Sequence, residues 1–312
     1  MVRCRRRPTY NPAVPVRSDS AGRDDDPSAA AETRCPFERL EDRDPSVRMV
    51  DVLAAIAADL DRRHAAFDLF AWLDQTTERL QPLAEDDPAA TARTLFDALA
   101  QWHGLGSREA DYADYRSSIV RHVVSRGRGL PIVLCVLAAE LGSRLGLGLV
   151  GVNAPGHFLL RLETDGEPLY LDAYRRGQAR SRTAAAAWLA ETTGYPTEMI
   201  DAALDPAKPR LVAIRMLENL KRQLIDAADW SRAHRVQRRL LGLRPGSYAD
   251  RRDLAAIAAQ GPNPREALRL LGTLTERTDD AVVDGSSEAT ERERQILSQI
   301  ARQARRSLIE LN

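Results

Sequence analysis

Apolar residues return every three to four positions from about Ser46, which predicts amphipathic helices on a common core. Val52, Leu53, Ile56 and Leu60 share one face, Phe67, Phe70, Trp72 and Leu73 continue the pattern, and Leu80 and Leu83 follow. Asp87-Pro88 then opens a helix carrying Leu95, Phe96 and Leu99, with proline in the first turn, where its missing N–H costs nothing. Residues 46–103 thus read as three helices whose aromatic residues are core. A short helix with Ile119, Val120, Val123 and Val124 follows Asp111-Tyr-Ala-Asp-Tyr115. Beyond Gly127, Gly129 and Pro131 comes a helix with Leu134, Cys135, Ala138, Leu141 and Leu145.

The period changes after Gly146. Leu149–Val152 and His157–Leu162 read as strands joined by the Asn153-Ala-Pro-Gly156 turn, and Leu169–Asp172 as a third strand after Asp165-Gly166. From about Leu211 the pattern is helical again and repeats itself. Ala233, Val236 and Leu240 recur 34 residues on as Ala267, Leu270 and Leu274, and Leu220 recurs as Leu254. That is the tetratricopeptide period, and Pro245 falls where such a repeat ends its second helix. Residues 276–287 read as an acidic linker. A last helix with Ile296, Ile300, Ala304 and Leu308 reads as a cap on the repeats in preference to a dimerisation helix. The expected fold is α+β and mostly helical, with a small antiparallel sheet. The expected division is an unstructured tail over 1–45, a helical lead-in and core over 46–205, and a helical-repeat region over 206–312.

Composition narrows the function. The chain has 312 residues, with Lys+Arg and Asp+Glu both 45, so its formal net charge is zero. No general attraction to nucleic acid or anionic lipid follows, despite Arg3 and Arg5–Arg7 near the N-terminus. Three widely spaced cysteines, Cys4, Cys35 and Cys135, form neither a disulfide framework nor a metal motif, which fits a reducing cytoplasm. No apolar run approaches a membrane span, and neither a metal nor a cofactor is expected. The histidines His64, His103, His122 and His234 show no ligand spacing. The glycine pairs Gly104-Leu-Gly106 and Gly127-Arg-Gly129 lack the context of a phosphate loop.

The chemistry-bearing stretch is Arg126–Asp172. Cys135 on a helix, His157 opening a strand and Asp172 ending the next are the residue types of a thiol triad: the imidazole takes the thiol proton and the carboxylate orients the imidazole. The alternative is that Cys135 is a small buried apolar residue, as free cysteines usually are, and that His157 and Asp172 pair to hold the strands. Ser117, Ser118 and Ser125 read as capping and turn residues.

Arg126-Gly-Arg-Gly-Leu-Pro-Ile-Val-Leu134, Leu145-Gly-Leu147, Val150-Gly-Val-Asn-Ala-Pro-Gly-His-Phe-Leu-Leu-Arg161 and Leu171-Asp172 resemble the SirB-one family, a bacterial branch of the transglutaminase-like superfamily. The likeness extends through Arg215-Met-Leu-Glu-Asn-Leu-Lys221, Asp229-Trp230 and Leu240–Pro245, covering about Asp51 to Leu274. It implies a transglutaminase-like (papain-like) core followed by tetratricopeptide-like hairpins. It also implies that the nucleophile position, two residues past Gly129, holds Pro131, and that His157 and Asp172 match the remaining triad members. Pro131, Pro155, Gly156, His157 and Asp172 would line the vestigial pocket. Two departures weaken a retained site: Asp172-Ala-Tyr174 stands where the family commonly has Asp-Pro-Phe, and Ser117 where it has Asn. Cys135 lies one helical turn, about 6 Å, deeper than Pro131. The expectation is a non-catalytic interaction or adaptor protein that binds a protein or peptide through its helical repeats, with its oligomeric state open. The rival is a thiol hydrolase or acyltransferase using Cys135, His157 and Asp172. Nucleic-acid binding through the arginines is the weakest reading.

Overall fold

The computed structural model describes residues 34–61, 67–261, 263–281 and 287–310. The expectations for Arg3–Arg7, Cys4 and His64 lie outside them. Helices α1 (Pro36–Glu41), α2 (Met49–Leu60), α3 (Leu69–Leu80), α4 (Pro88–His103), α5 (Val120–Arg126) and α6 (Pro131–Arg144) precede the sheet. The ends of α4 show why it stops and starts where it does. The Asp87 carboxylate accepts from the Ala89 and Ala90 N–H groups at 3.0 and 3.3 Å, and Gly104 closes the helix at φ 64°. Helix α6 is the centre of the fold, with every side chain from Pro131 to Ala138 buried.

Strands β1 (Leu149–Val152), β2 (Leu159–Leu162), β3 (Leu169–Asp172) and β4 (Gln178–Arg180) form an antiparallel meander in that order. Because strand side chains alternate, the sheet has two apolar faces. Leu149, Leu160, Leu162 and Leu171 join the main core around α6, together with Phe158. Val152, Leu159 and Tyr170 face the other way, onto α7 (Arg182–Thr193) and α8 (Thr197–Ala202). The free edge of β1 is covered where Ala207 N–H donates to Gly151 O at 2.8 Å, which shields an otherwise open strand.

Helices α9 (Pro209–Asp226), α10 (Trp230–Leu243), α11 (Tyr248–Gln260), α12 (Pro264–Ala281) and α13 (Ser287–Glu310) complete the chain. The 34-residue period reappears in their ends: Asp226 and Gln260 close the first helix of successive hairpins, and Trp230 and Pro264 open the second. Ala233 and Ala267 are both fully buried, as are Leu240 and Leu274. Helix α13 packs on α11 and α12, and its Ser307 hydroxyl donates to Ala259 O at 2.8 Å.

Three sequence expectations change. The unstructured tail was expected to run to residue 45, yet Pro36–Glu41 is helical with Phe37 and Leu40 fully buried. Two apolar positions three apart among charged neighbours are too short a pattern to register as periodic, but tertiary packing suffices to hold the turn. Helix α12 extends to Ala281, into the expected linker at 276–287, whose remaining residues 282–286 lie outside the described set. The second strand begins at Leu159, so His157 and Phe158 precede it. Between the regions divided at 205 and 206 the main apolar core is continuous, running from Cys35 to Ile257.

Candidate functional site

The two glycine pairs have a packing role. Gly106 N–H donates to Gly127 O and Gly129 N–H to Gly106 O, both at 3.1 Å. Gly127 has φ 67°, and a Cβ there would lie 2.9 Å from Gly104 O; at Gly129 it would lie 2.6 Å from Val123 Cγ1. This close backbone approach delivers the chain into α6, with Leu130 before the first turn and Pro131 opening it. Position 131, where the resemblance places the nucleophile, therefore carries a buried ring with no thiol or hydroxyl.

Cys135 lies one turn deeper and has no exposed surface. Its Sγ donates to Phe158 O at 3.7 Å. Burial pushes the thiol far above its usual range; Asp172 adds to this, while the Ala173 backbone N–H and Arg215 only partly offset it. The thiol is thus held protonated, the opposite of what nucleophilic attack needs. It borders a cavity of about 270 Å³ shared with Val136, Ala139, Phe158, Leu160 and Val212, whose wall includes none of Pro131, Pro155, Gly156, His157 or Asp172.

His157 turns to the other side of the sheet. Its ring lies 4.8 Å from the Trp188 ring of α7 at an interplanar angle of 56°, whereas the Phe158 ring joins the core around α6. Asp172 shares the His157 side, two residues beyond Tyr170 on β3. Among the described residues no hydrogen bond joins His157 to Cys135 or to Asp172, although the charge of Asp172 reaches both the thiol and the imidazole. Asp172 is 2% exposed. Its Oδ1 accepts from Tyr174 N–H at 2.9 Å, capping the turn that follows. Its Oδ2 accepts no hydrogen bond and lies 3.9 Å from Arg175 Nε. Burial lowers the His157 pKa; Asp172 opposes this, and Arg215, Arg175 and Arg180 lower it further. The ring is therefore predominantly neutral near neutral pH.

Several residues around His157 carried no site role in the sequence. Arg180 lies over the Trp188 ring with its guanidinium carbon 4.2 Å from the centroid, and Arg175 lies 5.7 Å from it. Arg215 on α9 donates from Nη1 to Asn153 Oδ1 at 2.7 Å and to Ala154 O at 2.6 Å, fixing the turn before His157. Burial lowers its pKa and raises that of the Tyr112 hydroxyl nearby. Only the recurrence of arginine and tryptophan near the Pro155-Gly-His motif could have signalled them. Ser117 and Ser118 are buried; Ser118 Oγ donates to Gln223 Oε1 at 2.6 Å, so both are structural ties. Ser125 Oγ donates to His122 O within its own helix. Among the described residues no cluster of His, Cys, Asp or Glu could hold a metal, and no helix is long and apolar enough to cross a membrane.

The transglutaminase-like superfamily model matches residues 67–218, which span α3 through most of α9. A UPF0162 protein of Pseudomonas aeruginosa is 30% identical over 229 residues, covering 63% of this chain and 80% of that relative. The chain belongs to the UPF0162 family. A UPF0162 protein of Xylella fastidiosa (strain 9a5c) is 34% identical over 168 residues, 53% of this chain and 58% of that protein. The chain thus spans less than two thirds of that relative's length. Protein SirB1 of Salmonella typhimurium is 27% identical over 184 residues, or 58% of this chain and 66% of SirB1. No solved structure gives a significant match. The UPF0162 assignment agrees with the resemblance carried by Arg126–Asp172, and the mostly helical α+β fold is the one that resemblance implies.

Proposed function

We propose that this UPF0162 protein is a cytoplasmic, non-catalytic interaction module. In this reading its transglutaminase-like core serves as a scaffold, and its helical hairpins, of tetratricopeptide type, hold a protein or peptide partner. The observation that carries the reading is the absence of a nucleophile at the opening of α6: Pro131 stands there, and the thiol of Cys135 one turn on is fully buried and donates to Phe158 O. The 34-residue offset of the two hairpins supports the repeat assignment.

The test has two arms. The full chain is incubated with a glutamine-containing peptide and a fluorescent primary amine, and separately with a thioester substrate. No product is expected above the level of Cys135→Ser. Photo-crosslinking residues are then placed at Arg238 and Arg269, which are exposed on α10 and α12, with Leu83 as a distant control. A discrete protein adduct from the repeat positions and none from Leu83 is expected. Turnover abolished by Cys135→Ser, or no adduct from either repeat position, would overturn the proposal.

A further inference from the structure

We infer that the surface around His157 and Trp188 docks an acidic peptide segment of a partner protein, its carboxylates meeting Arg175, Arg180 and Arg215 and its apolar side chains meeting the surrounding rim. The inference rests on the binding-module reading above and names the chemistry of what the core would hold.

The first support is charge without compensation. Several half-buried arginines elsewhere are matched: Arg182 pairs with Asp201 and Asp205, Arg232 with Asp229, and Arg239 with Asp59. Around His157 they are not. Among the described residues neither Arg180 nor Arg215 has a carboxylate within 4 Å, and Arg180 donates only to Gln178 Oε1 at 3.0 Å. Arg175 has only the 3.9 Å approach to Asp172. Stacking on Trp188 holds the Arg180 guanidinium while leaving the N–H groups not given to Gln178 for a carboxylate. An arriving carboxylate would complete what the fold leaves unpaired.

The second support is the apolar rim. Seven large apolar side chains are exposed among the described residues, and five of them lie on the segments that carry or adjoin this surface. Tyr112 lies close enough to Arg215 to feel its charge, with Tyr174 beside it. Leu211 is one turn before Arg215 on α9. The Gly156 turn abuts Thr193, and Tyr195 and Met199 follow directly. Tyrosine, tryptophan and arginine in one place are the composition of interface hot spots. Exposed aliphatic groups favour a peptide over a nucleic acid, as does a formal net charge of zero.

The probe is a fluorescein-labelled octapeptide of Glu and Asp with one Tyr and one Leu, measured by fluorescence anisotropy against the full chain. A peptide with Lys at every acidic position and a labelled uridine octanucleotide are measured in parallel. Saturable binding of the acidic peptide alone is expected, weakening with salt. The double variant Arg175→Gln/Arg180→Gln should weaken it about tenfold or more, while Arg305→Gln, at an exposed position on α13, should leave it unchanged. On the unaltered chain, the acidic peptide should move the His157 ring titration to higher pH in an NMR experiment, because the added negative charge favours imidazolium. No saturable binding, equal binding by the double variant, an unmoved His157 titration or tighter binding of the oligonucleotide would each overturn the inference. The two proposals fail separately. Cys135-dependent turnover with peptide binding intact removes only the non-catalytic reading. Crosslinked partners on the repeats with no peptide binding remove only this one.

Discussion

Gln223 joins the helical region to the transglutaminase-like core, and its removal gives a sharp test of that junction. The side chain is fully buried on α9. Its Nε2 donates to Asp111 O and Tyr112 O, both at 3.1 Å, and its Oε1 accepts from Ser118 Oγ at 2.6 Å. Gln223→Met keeps the length and removes all three bonds, leaving two carbonyls and a hydroxyl short of partners. A buried polar group left unsatisfied costs about 1–3 kcal/mol. Tyr112 sits near solvent and the Ser118 hydroxyl can rotate, so the total is set at about 2–4 kcal/mol. For amides of 109–118 that exchange through a shared opening, this means roughly 30- to 700-fold faster hydrogen exchange. Gln223→Glu should be worse near neutral pH, because it turns a carboxylate toward two carbonyl oxygens, and should recover partly as acid protonates it. A Gln223→Met protein within about 0.5 kcal/mol of the parent, with unchanged exchange over 109–118, would refute the reasoning.

Gly127→Ala should cost about 2–4 kcal/mol, since a left-handed residue is strained and its Cβ meets the Gly104 and His103 carbonyl oxygens. Gly146→Ala, also left-handed at φ 81° but facing open space, should cost only about 1–2 kcal/mol; equal urea midpoints for the two would contradict the close-packing account. Acid should weaken the fold through His157. Its folded pKa is lowered, so the unfolded chain takes up the proton first as pH falls through the ordinary imidazole value. The neutral ring's contribution is therefore complete above that value and is lost below it. The urea midpoint should fall less between pH 7.5 and 5.5 in His157→Gln than in the parent, and an unchanged slope would show that the ring titrates normally.

The helices were legible because each buries a long apolar stripe. Asp87-Pro88 and Pro131 marked two helix starts to the residue. Strand β4 was not legible: Gln178 and Ala179 are exposed and only backbone pairing to β3 holds them. The site was half legible. His157 and Asp172 stood out by residue type, and the depth of Cys135 followed from helical spacing. What the chain could not display was what each side chain packs against. That depends on His157 facing Trp188 while Phe158 faces α6, and on α9 bringing Arg215 back to a turn 61 residues earlier.

The central claim is that this fold keeps the Cys135 thiol buried and protonated. It is tested most directly by the rate at which iodoacetamide modifies Cys135 in the folded chain, read by mass spectrometry of the peptide that contains it. The account predicts modification only through unfolding, with a rate that follows urea concentration and is no slower in His157→Gln. Rapid labelling of the native chain near neutral pH, slowed by His157→Gln, would show a thiolate activated by the imidazole and contradict it.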